Sequence, residues 1–235
     1  YLLQADMLQV GFLKLLKGAA MNNLTKEHDY VYMLQAPYQV ISNKYMDYKT
    51  MRYLQIFVDI VEMYYNAGRF RHTITYLIDL YEQDAYTFFA DFTAYWRREK
   101  LHLAPHAPKN LYKFLADFIQ INDRFVNKDV IYEILKFDAL MSDNGKFRPE
   151  FLPWQELSKQ VIDDFYMGEQ AQKYIKNYQF KSWRDLKKKF TLEIFNYDIE
   201  KALQNKIEKC KNVVLFVYED GKVSYQQIEQ GDIEL

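Results

Sequence analysis

The residue types able to do chemistry are few, and their spacing limits what they can do. His102 and His106 stand four apart, the interval that aims two imidazoles at one metal from a single helix face. Pro105 lies between them and breaks the helix this geometry requires, so no metal centre is expected there. Glu99-Lys-Leu-His102 has the Glu-x-x-His spacing of di-iron bundles, but that centre needs the motif twice and one copy is present. Asp143-Asn144-Gly145 resembles part of a calcium loop whose first ligand position would fall on Leu140, which rules it out. Asp163 and Asp164 are neighbours, about 100° apart on a helix, and diverge rather than share a proton. Cys210 sits among lysines that favour its thiolate, with no His or Asp partner recognisable nearby. Phosphate-cradling glycine loops and the hydrolase nucleophile elbow are absent from the sequence. No catalytic residue and no metal ligand is therefore expected in this chain.

The elements that would position any site are mainly helical. The chain has 235 residues, 49% of them hydrophobic and 17% aromatic, enough to bury a sizeable core. With 31 basic against 32 acidic residues the formal charge is −1, which argues against broad electrostatic binding to nucleic acid or an anionic membrane. A single cysteine fits a reducing cytosol, so a cytoplasmic location is expected. No apolar run approaches the roughly 20 residues of a membrane helix. The start, YLLQADMLQV, has neither an initiator methionine nor a signal-peptide layout, and the expectation is a segment of a longer protein.

Residues 6–16 are ambiguous between helix and buried strand, and APYQVIS (Ala36 to Ser42) reads as briefly extended. Asp47 is placed to cap a helix whose Met51, Leu54, Val58, Val61 and Tyr65 form one apolar stripe. Further helices are expected over about Phe70 to Glu82, Tyr86 to Lys100, around Leu111 to Ile119 and around Val130 to Phe137, with shorter ones over Gln155 to Tyr166 and Glu169 to Asn177. Ser182 with Asp185 resembles a cap for one more short turn. Phe190 to Tyr197 alternates, Val213 to Tyr218 is β-rich, and Asp220-Gly221 before Val223 signals a hairpin, because a type I′ turn needs positive φ at both central residues. The fold class is therefore mainly α within α+β: a multi-helix domain closed by a small C-terminal antiparallel sheet. Lys173 to Lys211 carries a net +6, a solvated basic face or a docking patch. Tyr65 to Phe70 (YNAGRF) has the look of a tetratricopeptide turn, but nothing repeats it about 34 residues on. It reads as a helical hairpin and keeps a free-standing helical protein-interaction module open as an alternative.

DMLQVGFLKLLKGAAM (Asp6 to Met21), APYQVIS, EMYYNAGRF (Glu62 to Phe70), EILKFDAL (Glu133 to Leu140) and LPW (Leu152 to Trp154) together resemble, in order and spacing, the C-terminal portion of cobalamin-binding radical SAM proteins, relatives of the anaerobic magnesium-protoporphyrin IX monomethyl ester oxidative cyclase. The resemblance implies that 1–45 is the last strand and flanking helix of a radical SAM barrel, 46–187 a helical C-terminal domain and 188–235 its closing sheet. It implies a longer parent with a cobalamin domain and a cysteine triad holding a [4Fe-4S] cluster that cleaves S-adenosylmethionine. With only Cys210 this chain cannot hold that cluster, so no cofactor and no catalysis are expected of it alone. Its partners would be the missing N-terminal domains, with no membrane and no nucleic acid. As a wall or lid over the barrel mouth, it would place Tyr64, Tyr65, Asn66, Arg69, Asp138 and Trp154 nearest the substrate or the barrel interface. Structural roles compete at each: Tyr64 and Tyr65 continue the core stripe, Asp138 could cap a helix or pair with Arg69, and Trp154 could anchor the core.

Overall fold

A computed structural model describes residues 5, 7–176 and 178–233. Asp6, which opens the first ambiguous segment, and Asn177, the expected end of a short helix, lie outside the described residues. The chain divides into two compact units, residues 1–68 with 84–105, and 69–83 with 106–235.

The first unit holds a two-stranded antiparallel sheet, β1 (Val31–Tyr32) with β2 (Val40–Ser42), and two helices, α1 (Tyr48–Val61) and α3 (Ala85–Arg98), packed on each other. Asp47 caps α1 as its type and place predict: its Oδ1 accepts from Thr50 N at 2.7 Å, and these bonds hold its carboxyl below the usual range. Asp84 does the same for α3, accepting from Thr87 N at 3.0 Å. The stripe of α1 runs on into a π-helical turn, Glu62–Asn66, where one extra residue per turn re-aims the side chains. Gly68 has a φ of +69°, a left-handed conformation that glycine adopts without strain as the chain leaves this turn. Residues 7–16 form neither the helix nor the full strand open to them. One bridge joins Lys14 to Gln39, with Leu15 N donating to Tyr38 O and Val40 N to Leu13 O at 2.8 Å each. The physical reason is that a strand needs a ladder partner along its length, and the described residues supply one only at 13–15.

The second unit is built on α5 (Lys128–Met141), against which α2 (Arg71–Asp79), α4 (Pro108–Ile121) and α9 (Ile199–Ala202) pack. From Val130 to Leu140 α5 is buried at every residue but Tyr132, so it is enclosed on all faces and not amphipathic. The smaller helices α6 (Lys159–Met167), α7 (Gln170–Tyr174) and α8 (Trp183–Lys189) follow, and α8 starts on the Ser182 cap, with Asp185 N donating to Ser182 Oγ at 3.2 Å. The helix expected from Gln155 starts later, at Lys159, because Ser158, in extended backbone, supplies its cap by accepting from Val161 N at 3.3 Å. The sheet closes the chain in the order β3 (Phe190–Phe195), β4 (Asn212–Glu219), β5 (Lys222–Gln227), all antiparallel. Asp220 (φ +50°) and Gly221 (φ +72°) make the hairpin turn between β4 and β5 that their sequence signals. The fold is thus helix-rich α+β with a small C-terminal three-stranded sheet, and among the described residues no helix is long and apolar enough to cross a membrane.

Candidate functional site

In the first unit, Tyr64 lies wholly inside the core, its ring centre 4.8 Å from Phe92 and edge-on to Trp96, and burial raises its hydroxyl well above the ordinary phenol range. Tyr65 and Asn66 turn the other way. The Tyr65 hydroxyl donates to Ala5 O at 2.5 Å, while Asn66 accepts from Leu8 N through Oδ1 and donates to Leu8 O through Nδ2, both at 2.9 Å. The π turn therefore stitches Ala5 and Leu8 to the end of α1, and the Asn66 amide matches one backbone N–H and one C=O of the same residue.

In the second unit, Asp138 on α5 caps α2 from across the interface. It is 2% exposed and receives four hydrogen bonds: Oδ1 accepts from His72 N (3.2 Å) and His72 Nδ1 (2.7 Å), and Oδ2 from Thr73 N (2.8 Å) and Thr73 Oγ1 (2.7 Å). For Oδ1 to accept from the ring at that distance, the His72 imidazole presents a hydrogen on Nδ1. Arg69 lies beside the Tyr112 hydroxyl. Burial pushes Tyr112 up to about 12, with Ser142, Arg69 and the Asp138 charge as lesser influences.

Trp154 belongs to a different cluster, one that residue spacing does not reveal. Lys136 is fully buried on α5; its Nζ donates to Pro153 O at 3.0 Å and Ile194 O at 2.5 Å. Glu133 Oε2 lies 3.0 Å away as an ion pair out of hydrogen-bond alignment, and Glu193 Oε1 lies at 3.6 Å. Glu133 Oε1 accepts from Asn196 Nδ2 at 2.7 Å. Arg148 closes the array, its Nη1 2.9 Å from Glu193 Oε2 and its guanidinium 4.6 Å from the centre of the Trp154 ring. Trp154 Nε1 donates to Pro149 O at 2.7 Å. Two buried carboxylates thus face one buried ammonium and one surface guanidinium. Burial still holds the Glu193 carboxyl above the usual carboxylate range, against the pull of Lys136 and Arg148.

Of the six positions singled out in the sequence, the structure joins Tyr65 and Asn66 in one task and brings Arg69 near Asp138 through Tyr112. Trp154 goes with Lys136 and Arg148. His72, Thr73, Glu133, Lys136, Arg148 and Glu193 were missed. The signal for two of them was present: Glu133 and Lys136 interrupt an apolar run on a helix buried all round, where a charge must be paired. Cys210, expected to have no partner nearby, has its Sγ within 4.8 Å of carboxylate oxygens of Asp198 and Glu208. The Lys201 ammonium fills that position, 2.5 Å from Glu208 and 3.3 Å from Asp198.

These arrangements hold and orient; none joins a nucleophile to a base. A family model described as a protein of unknown function, DUF4080, matches residues 26–216. No curated protein and no solved structure matches the chain.

Proposed function

We propose, for a chain that belongs to the DUF4080 family, that it is the C-terminal accessory region of a cobalamin-dependent radical SAM enzyme of the magnesium-protoporphyrin oxidative cyclase type. In this reading it is not catalytic alone and helps to cover the substrate side of the barrel. One observation carries the proposal. The segment that would have been the end of the barrel leaves its apolar side chains in solvent: Met7 is 64% exposed and Leu34 80%, with Leu8, Val10, Leu13, Leu16, Val31 and Met33 also exposed. Exposed apolar side chains at this many positions, with Leu15 alone of 7–16 buried, are what remains when a strand and its flank lack the neighbours they were selected to pack against. The hydrogen bonds from Tyr65 and Asn66 to Ala5 and Leu8 support the same reading, since they hold these residues in place without burying them.

The lone cysteine means that the cluster, and with it the cleavage of S-adenosylmethionine, must belong to other parts of the parent. What this chain's own residues supply is a rigid support: a capped α2, a pinned α5 and a stitched N-terminal segment. The test is the native protein purified anaerobically from its source. A mass well above 28.4 kDa together with about four irons and a corrinoid is expected. A native mass equal to this chain, with neither metal, would overturn the assignment and leave the free-standing helical interaction module.

A further inference from the structure

The buried charges behind β3 end at a cleft of about 600 Å³ within the second unit, lined in part by Arg148, Glu193, Leu157, Ile162, Trp183 and Leu192. We propose that this cleft binds a small aromatic anion, a flat ring bearing a carboxylate or phosphate, with the ring against Trp183 and the anionic group on Arg148.

The walls are anchored. Leu157, Ile162, Trp183 and Leu192 are partly buried and pack against the hydrophobic core that includes Phe165, Leu186 and Leu215, so their outer faces form a fixed apolar lining. A volume near 600 Å³ lies in the range of small-molecule sites, and an indole face favours an offset-stacked ring. The polar hardware is equally fixed. Arg148 is held on one side by Glu193 Oε2 and on its face by Trp154. Its side chain remains 41% exposed, which leaves guanidinium N–H groups for a planar anion in the paired geometry that carboxylate and phosphate share. Glu193 does not oppose such a ligand. It is 1% exposed, Oε2 is engaged by Arg148, and Oε1 is out of solvent with Lys136 Nζ at 3.6 Å. The rim sets no sign of its own, because Lys159 and Lys187 stand against Glu156 and Asp163. The preorganised donor is therefore Arg148, and the cleft does not depend on the radical SAM reading.

The experiment titrates the full chain with 1-naphthoate, with phenyl phosphate and with the neutral 1-naphthylmethanol, followed by calorimetry and by the indole N–H resonance of Trp183, assigned with Trp183→Phe. Saturable one-to-one binding is expected for both anions, about tenfold tighter than for the neutral ring, as for a hydrogen bond to a charged group, with the Trp183 resonance shifting. Arg148→Met with Glu193→Gln removes both charges together, avoids leaving a buried carboxylate unpaired, and is expected to erase the preference for anions while keeping the melting temperature close to that of Glu193→Gln. Equal affinity for the neutral ring, or anion binding that leaves Trp183 unmoved, overturns the proposal. The comparison of ligands on the unmutated protein decides the matter even if the double variant folds poorly.

Discussion

Replacing Asp138 tests how the second unit is held together. In Asp138→Ala the N–H and hydroxyl of Thr73, a residue with no exposed surface, lose their acceptor, and no solvent reaches them to replace it. An orphaned buried donor costs about 1–3 kcal/mol, so the pair costs about 4 kcal/mol. The donors on His72 are partly exposed and can turn to water, which adds little. For a chain of this length each kcal/mol moves the melting temperature by about 2–4 °C, so a fall of about 8–16 °C is expected. Asp138→Asn is gentler, about 1–2 kcal/mol: its carbonyl can still accept from Thr73, and its amide can donate to His72 Nδ1 once the imidazole moves its proton to Nε2. Urea unfolding followed by circular dichroism gives both free energies, and histidine nitrogen chemical shifts report the tautomer. The order should be wild type, then Asn, then Ala. An Ala variant within about 1 kcal/mol of wild type, the size of one ordinary exposed hydrogen bond, would refute the view that Asp138 is the cross-helix cap of α2.

Lys136→Met removes the fully buried ammonium that faces Glu133 and Glu193, and should cost about 3–5 kcal/mol because it strands buried carboxylates; urea unfolding reads it. Glu193 bears on pH. Its folded carboxyl lies above its unfolded value, so the folded state binds the extra proton and stability falls as pH rises from the ordinary glutamate range through the folded value; Glu193→Gln should flatten that slope in melting curves taken across acidic pH. Gly145 and Gly68 both have positive φ, but a Cβ on Gly145 would stand 2.2 Å from the Tyr218 hydroxyl while one on Gly68 meets nothing within 4 Å. Gly68→Ala should therefore cost about 1–2 kcal/mol from backbone strain alone, and Gly145→Ala clearly more, in the same unfolding assay. Asn66→Ala should speed hydrogen exchange at the Leu8 amide, whose acceptor it removes, without changing exchange in the α3 core.

Local chemistry decides what a sequence states by itself. The Asp47 and Ser182 caps and the Asp220-Gly221 turn depend on groups a few residues apart, and the structure has them where the pattern puts them; the stripe of α1 falls instead on Met51, Ile56, Ile60, Val61 and Tyr64, with Leu54, Val58 and Tyr65 only half-buried. Residues 7–16 stayed ambiguous for the opposite reason. A run with apolar residues on both faces suits either a strand or a helix, and only a neighbouring strand, which reaches it at Lys14 alone, settles its conformation.

The polar nodes divide along the same line. Tyr64, Tyr65, Asn66, Arg69, Asp138 and Trp154 were singled out from motifs, but the motifs did not say what each would touch. Tyr64 went into the core in line with Ile56 and Ile60, four and eight residues before it, and Tyr65, the next residue on the helix, points away from that face. Asp138 met Thr73, 65 residues away, and Lys136 met Ile194, 58 residues away. Sequence spacing cannot encode such pairs, because the free energy of a buried ion or carboxylate depends on which distant donors the fold brings within hydrogen-bonding distance. The sequence alone determined the helical class, the closing hairpin and the absence of cysteine ligands for a cluster. Tertiary structure alone decided that the charges of α5 are structural pins and that an arginine stands fixed beside an apolar cleft.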